Sequence, residues 1–280
     1  MSPRYSLILA TYGRTESLRR TLESIALQPQ PELELLVADQ NADDRLVPLL
    51  REFSDRIDIV HVRVDRPGLS NARNEALRRA RGAYVGFPDD DCTLAPGLLD
   101  ALSSVFDGED VDLVCTSCRR EEDDSLLPYT PVDRETRVTT RNLFYVVTSI
   151  GLFARRDLCP DFDTRLGLGA EFPSCEEMDV AYRMLLGGAR GVYRPHLVMY
   201  HPETKTTEVA KVARHAAGHG AFIRKHLFSG VVFFVAYGVL LLWIKPLLRL
   251  ASATLRRDQV ERSFFAALLT GRMKGFFSFG

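Results

Sequence analysis

Asp89, Asp90 and Asp91 stand in a row directly behind the apolar run AYVGF and Pro88. Three adjacent carboxylates repel one another, and a hard divalent cation with a preference for oxygen ligands offsets that repulsion. The same residues read without context are a solvated acidic turn after a strand. Glu176 and Glu177 open a second acidic segment, GLGAEFPSCEEMDVAYRML, with Asp179 and Arg183 four residues apart. That spacing suits a helix whose first turn carries acid against the helix dipole, with an i, i+4 ion pair behind it. A carboxylate there could also take a proton from a weakly acidic hydroxyl. His201, in VMYHP, follows another strand-like run. Cys115 and Cys118 form a lone CxxC inside VDLVCTSC, without the second pair that a zinc site needs.

These residues need elements to position them. YSLILAT reads as a strand, followed by a helix with Leu18, Leu22, Ile25 and Ala26 on one face. LELLVAD and IDIVHVRV repeat the strand signal, the stretch 69–80 has a small-residue helical face ended by Gly82, and AYVGF is the next strand. Near-continuously apolar strands alternating with helices predict a parallel sheet covered on both sides, with ligands beyond the carboxyl ends of the strands. The residues after Ala10, Val37 and Phe87 are therefore expected to meet. Further on, VDLVCTSC and VYRPHLVMY read as strands, and 176–186 and 208–226 as helices.

The run DRPGLSNARNEALRRARGAYVGFPDDDC resembles the family 2 glycosyltransferases. Their pattern has Gly, Ser or Asn, Ala-Arg-Asn, a small-residue helix, Gly, an apolar strand and Asp-x-Asp. SLILATYGR and LLVADQN are similar to the family's first two strand ends. The resemblance covers about residues 5–200 and implies an α/β, GT-A Rossmann-like, mostly parallel central sheet flanked by helices. It further implies a nucleotide-sugar donor (a UDP-, dTDP- or GDP-sugar), Mn2+ or Mg2+ as cofactor, and inversion at the sugar carbon. By the same resemblance Thr11, Tyr12 and Arg14 line the nucleotide pocket and Asp39 holds the base or ribose. Arg73 would neutralise phosphate, Asp89 approach the ribose with Asp90 beside it, Asp91 carry the metal with His201 against it, and Glu177 act as general base. Gly13, Gln40 and Cys92 depart from the family pattern, where Asn, Asp and Asp are usual.

The formal net charge of -1 gives no general attraction to nucleic acid, and five cysteines without framework spacing point to a reducing compartment. Leu227–Ile244 carries no charge, and from Lys245 onward seven basic residues face two acidic ones among Leu and Phe. This composition predicts a helical, membrane-associated C-terminal region, 204–280; the resemblance implies a catalytic domain before it, 1–203, whose nucleotide-sugar part is about 1–92 and acceptor part 93–203. A buried helix or a dimer contact is the other reading of the uncharged stretch. The expected setting is the cytoplasmic face of the plasma (inner) membrane, with a lipid-linked or surface-glycan acceptor. Two rivals are a sugar-phosphate nucleotidyltransferase, which usually has a glycine-rich loop that ATYGRTES lacks, and a non-catalytic, membrane-tethered relative.

Overall fold

The structure is a computed structural model that describes residues 3–29, 32–127, 131–202, 208–227, 229 and 243–280. The chain divides into two compact units, 1–162 with 177–203, and 163–176 with 204–280.

The first unit is built on one twisted sheet. Strands β1 (Tyr5–Thr11), β2 (Leu33–Asp39), β3 (Asp58–Arg63) and β4 (Tyr84–Gly86) run parallel in the order β3-β2-β1-β4. They are linked by helices α1 (Glu16–Ala26), α2 (Val47–Phe53) and α3 (Leu69–Leu77). Every residue of β1 and β2 is buried, as expected of strands covered on both faces. Beyond β4 the sheet continues through β8 (Leu152–Arg155), β6 (Leu113–Arg119) and β9 (Gly191–Tyr200). The short strands β5 (Thr93–Leu94) and β7 (Thr136–Val138) both pair antiparallel with β9. β8 is antiparallel to β4 and to β6, so β6 and β9 regain the direction of β1. The sheet is mostly parallel, as expected. The reversal at β8 carries no signal in the apolar run NLFYVVTSIGLFARR, where α5 (Leu143–Val146) and a turn precede the strand. Helices α4 (Leu98–Gly108) and α6 (Glu176–Leu186) complete the succession. Leu7, Leu9, Leu18, Leu22, Leu35, Phe53, Leu99 and Phe153 belong to the large core under the sheet.

Register brings the expected strand ends together. Thr11 lies opposite Asp39 across β1 and β2, and Ala10 bridges to Asp89 on the other side.

The second unit is helical: α7 (Val209–His226), α8 (Lys245–Leu255) and α9 (Gln259–Ser278), together with the segment 163–176. α7 and α9 run side by side in the same direction. A side chain added at Gly271 would lie 2.1 Å from the Ala213 carbonyl oxygen, so this backbone approach admits only glycine there. Leu166, Phe172, Ala217, Ala221 and Phe279 form the unit's core, and Asp163 binds Lys225 at 2.8 Å. His219 is pushed down to about 4 by burial, with Arg272 nearby, which makes it a neutral packing residue. No helix among the described residues is long and apolar enough to cross a membrane. The uncharged stretch Leu227–Ile244 lies almost wholly outside the described residues.

Candidate active site

The three aspartates that follow β4 do not all share one set of partners. Asp90 turns back into the protein, where the Thr11 hydroxyl donates to it at 2.7 Å and Arg14 at 2.7 Å. Burial raises its carboxyl above the ordinary range despite those donors. Asp90 thus ties the loop after β1 to the loop after β4.

Asp89 and Asp91 point the other way. Asp91 contacts Arg14 on one side, and its Oδ1 lies 3.4 Å from His201 Nε2 on the other. Burial works against ionisation of Asp91, but His201 and Arg14 outweigh it and hold the carboxyl below its usual value. Burial likewise works against charge on His201, and Asp91 overcomes it, raising the imidazole above its ordinary value.

One ligand atom from each of Asp89, Asp91 and His201 lies within 4.8 Å of the other two. That spacing admits a single ion with bonds of roughly 2–2.4 Å. His201 also has its orienting partner: Nδ1 is 2.7 Å from the Pro202 carbonyl oxygen, so an N–H there donates outward and Nε2 is left toward the carboxylates. Two oxygens and one imidazole nitrogen suit a transition-metal dication better than Mg2+, which favours an all-oxygen shell. The residues present fit a bound divalent cation.

Arg73 lies elsewhere than a phosphate contact requires. Its side chain is completely buried beneath Asp89, donating to Asp89 at 2.9 Å and to Ser149 at 2.6 Å. Its guanidinium sits 5.8 Å from the Phe87 ring centre and 5.5 Å from that of Phe162. In this position Arg73 braces Asp89 from below. The neighbouring Asn74 clamps the backbone of Phe162 in both directions, donating to its carbonyl at 2.9 Å and accepting from its N–H at 2.8 Å. Arg183 then donates to the Asp161 carbonyl at 2.6 Å and pairs with buried Asp179 at 2.8 Å. α3 is thereby connected to α6, whose first turn presents half-buried Glu177.

Asp39 is also fully enclosed. Asn41 donates twice to one oxygen, at 2.9 and 2.8 Å, while His61 and Arg63 reach the other at 2.9 and 2.8 Å. Burial opposes its charge, and these four donors overcome it, so the carboxyl sits below the ordinary range. With its oxygens so occupied, Asp39 shapes the pocket by fixing Asn41, whose side-chain oxygen in turn accepts from Gly13 N–H at 2.8 Å. Gln40, a departure from the family pattern, accepts from Gly68 N–H at 2.7 Å and so ties the loop before α3 to β2. Tyr12 projects into solvent, 65% exposed, from the loop that Asp90 and Asn41 anchor.

Sequence reading missed Ser149, Asn41, His61 and Arg63 as supports of the site. Two signals were present. His61 and Arg63 are two apart on β3 and share one face, and Arg63 is paired with Asp39 in the β2–β3 register. Asn41 follows a strand-ending aspartate, the setting of a side chain-capped turn.

A mostly parallel sheet, with an acidic and imidazole cluster at the carboxyl ends of its strands beside the loop after β1, defines the GT-A class. A mannosyltransferase from Pyrobaculum calidifontis, solved with GDP-Man and Mn2+, has this fold: the TM-score is 0.70 at 19% identity over 98% of this chain and 87% of that one. Residues 6–158 match glycosyl transferase family 2, and the chain belongs to that family. The glycosyltransferase AglE of Haloferax volcanii is 27% identical over 172 residues, 57% of this chain and 55% of its own. A Campylobacter jejuni GalNAc(5)-diNAcBac-PP-undecaprenol beta-1,3-glucosyltransferase is 33% identical over 103 residues, 36% of this chain and 33% of its own. The chain spans about half the length, or less, of these curated relatives.

Proposed function

We propose that the chain transfers a sugar from a nucleoside-diphosphate sugar to an acceptor hydroxyl, with a divalent cation and inversion at the sugar carbon. The observation that carries this reading is the convergence of Asp89, Asp91 and His201 within 4.8 Å at the strand ends, next to the Thr11–Arg14 loop. Those three residues would hold the ion. When bound, it supplies positive charge where the departing diphosphate gains negative charge. Exposed Tyr12 offers a face on which the donor's base can stack, and Asn41 and Gly13 shape the wall behind it. Glu177, at the start of α6, accepts the proton of the acceptor hydroxyl as the new bond forms. One base acting directly on the acceptor hydroxyl gives a single displacement, and hence inversion.

The relatives support a nucleotide-sugar donor and a lipid-carried acceptor: one fold neighbour was solved with GDP-Man and Mn2+, and one relative's name specifies an undecaprenol-linked substrate. We place the activity at the cytoplasmic face of the inner membrane, in assembly of a surface glycan. The basic, apolar tail supports that setting.

The test is transfer from a panel of UDP-, dTDP- and GDP-sugars in the presence of Mn2+ or Mg2+. Asp91→Ala is expected to lower turnover by about a hundredfold or more, and Glu177→Gln by about 10²–10⁴-fold with donor binding retained. Unchanged turnover in Asp91→Ala contradicts the role of the metal site. Donor binding without turnover on any acceptor would make the chain a binding protein.

A further inference from the structure

Helix α8 carries two apolar stripes on opposite sides. Pro246, Leu250 and Ala253 face the helical unit, Pro246 and Ala253 being buried. Ile244, Leu248, Ala251 and Leu255 follow at intervals of four, three and four residues, which stacks them on one side at 3.6 residues per turn. This second stripe points to solvent, with Leu248 66% and Leu255 86% exposed, and Leu247 beside it 57% exposed. A helix at the surface of a globular protein ordinarily presents polar residues there.

Along one flank, between the two stripes, run Lys245, Arg249, Ser252 and Arg256, all exposed. Arg256 is engaged by Glu261 of α9, and α8 itself contains no acidic residue. We propose that this outward face docks on an anionic lipid surface, with α8 lying in the interfacial plane. Leu248 and Leu255 would enter the acyl boundary, and Lys245 and Arg249 would meet the headgroups.

Charge and length favour this occupant. A second copy packed antiparallel on the same face would set basic flank against basic flank, with no acid on α8 to answer it. A helix of 11 residues is far short of the roughly 20 needed to span a bilayer. The inference rests on the reading that the protein works at a membrane, and it names the surface that makes the contact.

The experiment is flotation of the full chain with phosphatidylcholine vesicles, with and without phosphatidylglycerol. It compares wild type, Leu248→Ser/Leu255→Ser and Lys245→Gln/Arg249→Gln. The wild type should bind the anionic vesicles and release at high salt. The double serine variant should lose about tenfold or more in affinity, and the double glutamine variant about fivefold or more for each charge removed. Because the substituted residues face outward, both variants should keep the wild-type thermal transition. Binding by the wild type that survives the serine pair leaves membrane attachment standing and overturns this surface. Failure of the wild type to bind overturns both. A dimer that the serine pair dissociates, without vesicle binding, assigns the face to a second copy and overturns the proposal.

Discussion

Arg14 is half-exposed and touches both Asp90 and Asp91, so a protein cation already sits against the acidic cluster. A divalent ion at Asp89, Asp91 and His201 must therefore displace or repel it. Removing the guanidinium while keeping a polar side chain should tighten metal binding in the absence of donor. Arg14→Gln is expected to bind Mn2+ several-fold more tightly than wild type in a calorimetric titration; weaker binding would show that Arg14 supports the ion. At this scale the sequence was only partly legible. That the aspartates and His201 stand just after strands was legible, and the structure brings Asp89, Asp91 and His201 within 4.8 Å of one another. The enclosure of Arg73 and Asp39 was not legible, because an arginine that contacts phosphate and one that braces a carboxylate from below are the same letter in the same motif. Only the packing of Phe87 and Phe162 around Arg73 distinguishes them.

At the scale of elements, the Ala-Arg-Asn segment acts as a joint. Arg73 braces Asp89 at the end of β4, and Asn74 holds Phe162, whose neighbour Asp161 is fastened to α6 by Arg183. Asn74→Ala removes two hydrogen bonds and leaves a buried carbonyl and N–H without them. The expected cost is about 2–3 kcal/mol of stability, measured by denaturant unfolding. Turnover should fall more than donor affinity, since α6 carries Glu177 while the donor loops after β1 and β2 have separate anchors. An equal loss in both would mean that the joint serves the fold as a whole. Strands β1 and β2 were readable as apolar runs and are buried throughout, while β3 and helices α6 and α7 were readable as elements although β3 is mostly half-buried. β8 was not, because the direction of a four-residue apolar strand is set by its neighbours β4 and β6.

Across the whole molecule, the two edges of the sheet serve different ends. The carboxyl edge gathers the candidate site, while the amino edge holds Glu34, a fully buried carboxylate that sequence reading passed over within LELLVAD. Ser6 donates to it at 2.5 Å, Arg81 N–H at 2.6 Å and the Arg81 guanidinium at 2.8 Å. Burial opposes its charge, but these donors hold its carboxyl below the ordinary value. A depressed folded value means that the stabilisation is complete above the unfolded carboxyl pKa of about 4.3 and is lost as pH falls through the folded value. Glu34→Gln should therefore unfold several degrees lower than wild type near pH 7, with the gap closing as the pH is taken below about 4. A gap that stays constant with pH in a thermal scan would show that the charge on Glu34 contributes nothing.

Whether Asp89, Asp91 and His201 bind one divalent ion is tested, without any acceptor, by Mn2+ titration followed by electron paramagnetic resonance. Wild type should take up one Mn2+ per chain, more tightly with a nucleoside diphosphate present, and Asp91→Asn and His201→Ala should each weaken that uptake by about tenfold or more. Equal uptake by wild type and Asp91→Asn, or none by either, would contradict that binding.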